Sequence, residues 1–402
     1  MSADPLPPPI YDEAQVPAYT LPAALVTQAG SQVSTPVQWR NERRPELLKL
    51  FATHVYGQMP GKPTELTFRV GPSVAILDGK ATRKEVVIDL GAAAPAIHLL
   101  VYLPKRDGKV PVFVGLNFLG NQSVDPDPRI PLTANWVSND KQLGITNNRT
   151  NDQTRGKQAA RWQIPLVLER GYGLATAYYG DIDPDFDDGF KNGVHPLFPR
   201  RGTGDDWGAI GAWAWGLSRA LDYLETDPQV DAKRVAVIGH SRLGKTALWA
   251  GACDERFSIV ISNNSGCGGA ALSKRIYGET VGSITRAFPH WFCANFKPYA
   301  QNEAQLPVDQ HQLIALIAPR PVYVASATAD KWADPKGEYL GLYHALPVYQ
   351  LLGTPAQLPA EMPAPDEPIQ NAVGYHLRTG AHDVTAYDWQ QYLAFAERHW
   401  KP

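Results

Sequence analysis

The chain has 402 residues, with 38 basic against 40 acidic side chains and a formal charge of −2. That balance excludes the basic excess of a nucleic-acid binder. With 44% hydrophobic residues the chain reads as globular, and it is far above the size at which a core needs a metal or disulfide staple. Its 35 prolines and 34 glycines therefore belong to many turns and long ordered loops. No stretch approaches the run of about 18 apolar residues that spans a bilayer. The start, MSADPLPPPIYDEA, has neither the basic nor the apolar region of a signal peptide. Cys253, Cys267 and Cys293 are three, so at least one is unpaired, and a Cys267–Cys293 bridge competes with buried free thiols.

In chain order, residues 1–35 form a Pro-rich extended lead, and 36–56 carry a helical stretch. Residues 66–76 and 84–103 alternate and read as antiparallel strands. The pattern then becomes strand–helix alternation. Apolar runs at 111–118, 172–180, 235–239, 257–262 and 321–326 have buried-strand length, and 373–377 is the last strand. Helices are predicted at 210–224, where Ile210, Trp213, Leu217, Leu221 and Leu224 share one face, then at 246–252, 310–318 and 385–400. Asp227-Pro228 stops the first of these. Residues 121–160 are polar and aperiodic, a loop of a length that is uncommon and often functional. Alternating strands and helices imply a mainly parallel sheet covered on both faces. No composition break divides the chain, so the expectation is one domain over 1–402.

The stretch VAVIGHSRLGKTALW, residues 235–249, has two incompatible readings. Gly239, Gly244, Lys245 and Thr246 fit the P-loop pattern G-x-x-x-x-G-K-[ST] between a strand and a helix. Alternatively, Ser241 sits on a nucleophile elbow, the sharp strand-to-helix turn that lifts a serine above the sheet. The bulky His240, Ser241, Arg242 and Leu243 suit phosphate cradling poorly. An elbow demands an acid and then a histidine on later strand-end loops. Asp330 and Asp334 follow the strand at 321–326, and His382 follows the one at 373–377. The elbow is therefore preferred. It implies an α/β-hydrolase fold, a three-layer αβα sandwich with a mainly parallel sheet and long loop insertions.

Several segments together resemble the glucuronoyl esterases, carbohydrate esterase family fifteen, in its bacterial branch. They are YYGDIDPDFDDGF (178–190), GHSRLGKTALWAGA (239–252), SGCGGAALSKR (265–275), FPHWFC (288–293), LIALIAPRPVYVASATADKWADPKGE (313–338) and RTGAHDVTAYDW (378–389). The family cleaves esters between glucuronic acid carboxyls on xylan and lignin alcohols, without metal or cofactor. The resemblance implies Ser241 as nucleophile, His382 as general base and Arg242 as oxyanion stabiliser. It implies Lys245 and Trp332 in the sugar site. Many members place a Glu just before the SGxGG run, where this chain has Asn264. Some bacterial members instead carry an Asp two residues before the tryptophan. Asp330 fits that place, with Asp334 as the alternative acid.

The chemistry wants these residue types. A serine hydroxyl needs a neighbouring base, histidine works near neutral pH, and an acid on its other nitrogen fixes the tautomer. The backbone N–H of Arg242 is the usual elbow donor to the oxyanion, and a second donor is expected near Asn117–Leu119. The acidic run Asp181, Asp183, Asp185, Asp187 and Asp188 suggests calcium, but counting from Asp183 puts Val194 where an EF-hand requires Glu. A structured turn bordering the site is expected instead, with no metal. His240 and His290 have no ligand spacing. The resemblance points to a secreted or periplasmic monomer acting on glucuronoxylan or lignin–carbohydrate esters, with its signal removed, and with no nucleic-acid or membrane partner. Acetyl xylan or feruloyl esterase on the same fold, and a P-loop nucleotide binder, are the alternatives. A non-catalytic carbohydrate-binding module is a further one.

Overall fold

The computed structural model describes residues 6–91 and 95–400. The strands are β1 (Thr67–Val70), β2 (Val74–Ile76), β3 (Ala81–Asp89), β4 (Ile97–Pro104), β5 (Val110–Asn117), β6 (Gly173–Tyr178), β7 (Val230–His240), β8 (Ile259–Asn263), β9 (Val322–Ala327), β10 (Ile369–Gln370) and β11 (Val373–Arg378). The helices are α1 (Pro36–Gln38), α2 (Arg44–His54), α3 (Ala159–Trp162), α4 (Ile164–Glu169), α5 (Ala209–Leu224), α6 (Arg242–Cys253), α7 (Val281–Ala287), α8 (Gln310–Ala315), α9 (Pro335–Leu351) and α10 (Ala386–His399). All strands join one 11-stranded sheet in the order β1-β3-β4-β6-β5-β7-β8-β9-β11-β10, with β2 on β3. From β6 to β11 the neighbours are parallel, and antiparallel strands close both edges.

The inner strands β5, β6, β8 and β9 are buried along their whole length. That is why they read as continuous apolar runs, since parallel strands covered on both faces have no polar side to show. Successive side chains still go to opposite layers. Val235 and Val237 of β7 join the core that holds α2, α5, α6, α8 and α9. Ala236 and Ile238 join the core that holds α3, α4 and α10. The mainly parallel three-layer arrangement expected from the sequence is therefore present.

Two readings need correction. Residues 84–103 are not one strand but most of the β3–β4 hairpin, in register from Ala81 opposite Pro104 to Ile88 opposite Ile97. The connection does carry turn residues, Asp89, Gly91 and Pro95, but the apolar alternation on either side of them masks the break. Its residues 92–94 lie outside the described ones. Second, residues 66–76 are not one strand but β1 and β2, each paired antiparallel to β3. Of the two cysteine alternatives, buried free thiols are what the structure has at Cys267 and Cys293. The long segment 121–160 is irregular as expected, apart from short turns and α3. Side chains hold it, Arg155 to Ile130 O at 2.7 Å and Tyr178 Oη to Trp136 O at 2.6 Å.

The elbow depends on one close approach. A Cβ on Gly239 would lie 1.8 Å from Leu243 O, whereas one on Gly61 would meet nothing within 4 Å. Gly239→Ala is expected to cost about 4 kcal/mol or more, read as a fall in the urea midpoint or loss of soluble protein. Gly61→Ala should leave the midpoint nearly unchanged. Equal midpoints for the two variants would refute this account of the turn.

Candidate active site

Ser241 ends β7 and opens α6 at φ 58° and ψ −129°, a backbone conformation that non-glycine residues adopt only under constraint. The constraint is visible. Its N–H donates to Asn263 O at 2.9 Å, and its carbonyl accepts from the N–H groups of Gly244 at 2.8 Å and Lys245 at 3.2 Å. This is a nucleophile elbow, and it displaces the P-loop reading. A P-loop lysine reaches into a phosphate cradle. Here Lys245 is buried, donates to Ser265 O at 2.5 Å and pairs with Glu279 at 3.4 Å.

His382 lies on the loop after β11 and Asp330 on the loop after β9, at the end of the sheet where Ser241 sits. His382 Nδ1 is 2.6 Å from Asp330 Oδ2. A carboxylate accepts only, so Nδ1 carries the proton and Nε2 keeps its lone pair. The His240 ring, next to Ser241 in the chain, faces His382 with centroids 4.4 Å apart. Burial pushes His240 well below the ordinary histidine range, so it stays neutral beside His382. Asn264, at the position where many family members carry Glu, donates from Nδ2 to the same Asp330 oxygen at 2.9 Å.

Asp334 is engaged elsewhere. It caps α9, accepting from Gly337 N–H at 3.0 Å, and pairs with Arg275 at 2.9 Å. Its place before Pro335 is the N-cap signature, and the ion pair uses its remaining lone pairs.

Arg242 follows the serine. Its guanidinium is held by the Asp185 carboxylate and lies 4.7 Å from the Trp291 ring centroid, 5.6 Å from Phe288 and 5.7 Å from Phe118. Asp185 also accepts from Trp291 Nε1 at 2.6 Å and meets His290 Nε2 at 2.8 Å. Arg242 Nε is buried without a hydrogen-bond partner. The same holds for Arg44 Nε and Arg83 Nε, far from Ser241. The expected second donor segment is close by, since the Phe118 ring contacts His240 and Tyr179.

The remaining acidic run points in different directions. Asp181 accepts from Asn135 at 2.6 Å and from His98 N–H at 3.0 Å. Asp187 and Asp188 cap their own turn through Gly189 and Lys191. Among the described residues no cluster of His, Cys, Asp and Glu is arranged to hold a metal.

Trp332 is 42% exposed, and its Nε1 donates to Glu279 Oε1 at 3.2 Å. Glu279 thus joins Lys245 and Trp332, and the sequence did not single it out. Residues 188–353 match a family model described as glucuronyl esterase, fungi. Carbohydrate esterase MZ0003, from an unknown prokaryotic organism, is 52% identical over 400 residues, 97% of this chain and 91% of that protein. The chain belongs to the glucuronoyl esterase family, carbohydrate esterase family fifteen. A glucuronoyl esterase from Solibacter usitatus has a solved structure with TM-score 0.90 and 48% identity, covering 96% of this chain and all of that one. The structure of a promiscuous family-fifteen esterase from a marine bacterial metagenome has TM-score 0.93 and 51% identity, covering 98% and 100%. These neighbours carry the α/β-hydrolase fold, and the chain is a carboxylic ester hydrolase.

Behind Asp330 is a second carboxyl, Glu338, that the sequence also did not single out. It accepts from Ser265 N–H at 2.6 Å, Gly266 N–H at 3.0 Å and Ser326 Oγ at 2.7 Å. Burial pushes it up to about 8, and the Asp330 charge adds to the rise. A carboxyl whose folded value lies above its unfolded one, 4.5 here, contributes stability fully below the unfolded value. That contribution is lost as pH rises through about 8. Glu338→Gln removes the loss. The difference in Tm between variant and wild type should move in the variant's favour from about pH 5 to about pH 9, as scanning fluorimetry would read. A difference independent of pH would contradict it.

Proposed function

We propose that this enzyme hydrolyses esters between the carboxyl of glucuronic acid, carried as 4-O-methyl-glucuronoyl side groups of xylan, and lignin alcohols. The observation that carries the catalytic part is the strained Ser241 elbow at the sheet end that also holds the His382–Asp330 pair. Ser241 is the nucleophile. His382 takes its proton on Nε2, and Asp330 holds the ring in the tautomer that leaves Nε2 free. The serine oxygen attacks the uronate carbonyl and gives a tetrahedral oxyanion. Collapse breaks the bond to the alcohol oxygen, which leaves with the proton from His382. Water then repeats the sequence on the acyl-enzyme and releases the uronic acid.

Arg242 supports the oxyanion. Its Nε–H is unpaired, while Asp185 and three aromatic rings fix the guanidinium plane. A fixed donor needs no reorganisation when charge appears on the substrate oxygen. The Arg242 N–H and an amide near Asn117–Leu119 complete the hole. Lys245, Glu279 and Trp332 hold the sugar hydroxyls, since a linked donor, acceptor and ring edge suit a polyol. A polymeric wall substrate cannot enter a cell, which supports a secreted or periplasmic enzyme. Action on a single uronate side group needs only one chain, which supports a monomer.

Ser241→Ala should abolish turnover of methyl glucuronate ester, and full activity would end this reading. Asp330→Asn should lower kcat by roughly 10⁴-fold through the wrong tautomer. Asp334→Asn should instead lower Tm while kcat stays within about threefold, because the buried ion pair with Arg275 is lost while asparagine still caps α9 and no catalytic contact is touched. The reverse pattern would move the acid to Asp334. Arg242→Gln should cost about 10²- to 10³-fold in kcat. Comparing kcat/KM on uronate esters, acetylated xylan and feruloyl esters separates this activity from acetyl xylan or feruloyl esterase chemistry.

A further inference from the structure

Tyr11 and Trp332 are the two exposed aromatic side chains among the described residues, each 42% exposed. They come from opposite ends of the chain and lie on either side of one segment. Gly278 N–H donates to Ile10 O at 2.9 Å, and Glu279 N–H donates to Trp332 O at 2.9 Å. Successive amides thus point to opposite neighbours, as in the middle strand of a three-stranded ribbon. Gly278 is needed there. It has φ +58°, and a Cβ on it would lie 2.5 Å from Trp332 O and 2.6 Å from Lys331 O. Two interstrand steps of about 4.8 Å put the outer backbones roughly 10 Å apart, the scale of a disaccharide, with Glu279 between them.

The N-terminal lead is fastened at this place. Glu13 pairs with Arg275 and, at 3.2 Å, with Lys336. Arg275 in turn binds Asp334 at 2.9 Å. Tyr277 Oη donates to Tyr11 O at 3.1 Å. The Tyr11 and Tyr277 rings meet at 84° with centroids 6.0 Å apart, so Tyr277 covers at most one face of the Tyr11 ring. The same lead, through Pro7 and Pro17, and the same segment, through Ile276 and Thr280, border a groove of about 630 Å³. The pinned lead therefore presents the Tyr11 ring at a fixed place beside this groove.

We propose that Tyr11 is a second aromatic subsite, which stacks on a neutral pyranose of the xylan main chain while Lys245, Glu279 and Trp332 hold the attached uronate. A pyranose has an apolar C–H face and a polar rim, and this matches an exposed tyrosine beside a carboxylate-and-lysine pair. The inference rests on the proposed sugar site. It adds that this enzyme reads the polysaccharide beyond the esterified residue.

Two measurements test it. The first is kcat/KM on methyl glucuronate ester and on the same ester linked to a xylo-oligosaccharide, for wild type, Tyr11→Ala and Tyr11→Phe. Tyr11→Ala should leave the monomer ester unchanged and weaken the oligosaccharide ester roughly tenfold through KM, while Tyr11→Phe keeps the wild-type value. The second is calorimetric binding of the unesterified glucuronic acid-bearing xylo-oligosaccharide, with the same order expected. Equal losses on both esters, or no loss on the oligosaccharide in either measurement, overturn the inference. So does a loss that follows the alcohol instead of the sugar length. If Tyr11→Ala is unstable, Glu13→Gln, which only loosens the lead, should show a smaller loss of the same kind. Wild-type enzyme inactive on any glucuronate ester would defeat the esterase reading, and the calorimetric comparison would still decide on Tyr11.

Discussion

The site depends on holding Ser241 at a positive φ, and β8 is what holds it. The Ser241 N–H is tied to Asn263 O, and the Asn263 side chain accepts from His240 Nδ1 at 2.6 Å. The Asn263 amide donates onward to Tyr392 Oη at 2.7 Å and to Asp388 Oδ1 at 3.4 Å. One asparagine therefore couples the elbow to α10. Because its oxygen and its amide are both used, its orientation is fixed and His240 must carry its proton on Nδ1. A partly satisfied network of this kind would cost more than an apolar core, and here each of these Asn263 contacts has its partner.

Asp388 extends that coupling to the loop that carries His382. It is fully buried and receives His376 Nε2 at 2.8 Å, Arg378 Nε at 2.9 Å and the Thr385 N–H at 2.7 Å. Arg378 in turn donates to the carbonyls of Thr379, Ala381 and Asp383, on both sides of His382. His382 itself is exposed, and Asp330 holds its ring through Nδ1. Its loop is rigid through its neighbours' backbones. An exposed base on a clamped loop reconciles access for substrate with a fixed angle toward the serine, a requirement when a misplacement of about 1 Å can cost 10²-fold.

What the sequence made legible was local or ordered. The elbow reads from six adjacent residues, and Asp330 and His382 follow from their order after strands. Asp334 was readable as a cap from Pro335. Glu279 was not readable. Its partners Lys245 and Trp332 lie 34 and 53 residues away, and no periodicity links a loop glutamate to either. Glu338 sits inside α9, where a glutamate ordinarily reads as surface, and only the fold reveals its burial. The β3–β4 hairpin reads as one strand because apolar alternation runs on both sides of Gly91 and Pro95, which mark its turn. For the two glutamates the missed information was a long-range contact, which a window of sequence cannot contain.

With Asp330 as the proposed acid, the Asn264 amide beside it has a physical role. Asn264 has φ 46° and reaches the Asp330 oxygen that holds His382. A carboxylate at 264 would put a second negative charge at that contact, with Glu338 close behind, and like charges this near cannot all ionise. The buried site tolerates one charged acid against the histidine, and its neighbours must be neutral or loaded with donors. Asn264 supplies a donor in place of a charge, and Glu338 is surrounded by two amides and two hydroxyls. Moving the acid from one strand end to the next therefore requires a coupled exchange, Glu to Asn at 264 with Asp at 330. On the proposed mechanism one carboxylate beside His382 is enough, and Asn264 keeps the second position uncharged.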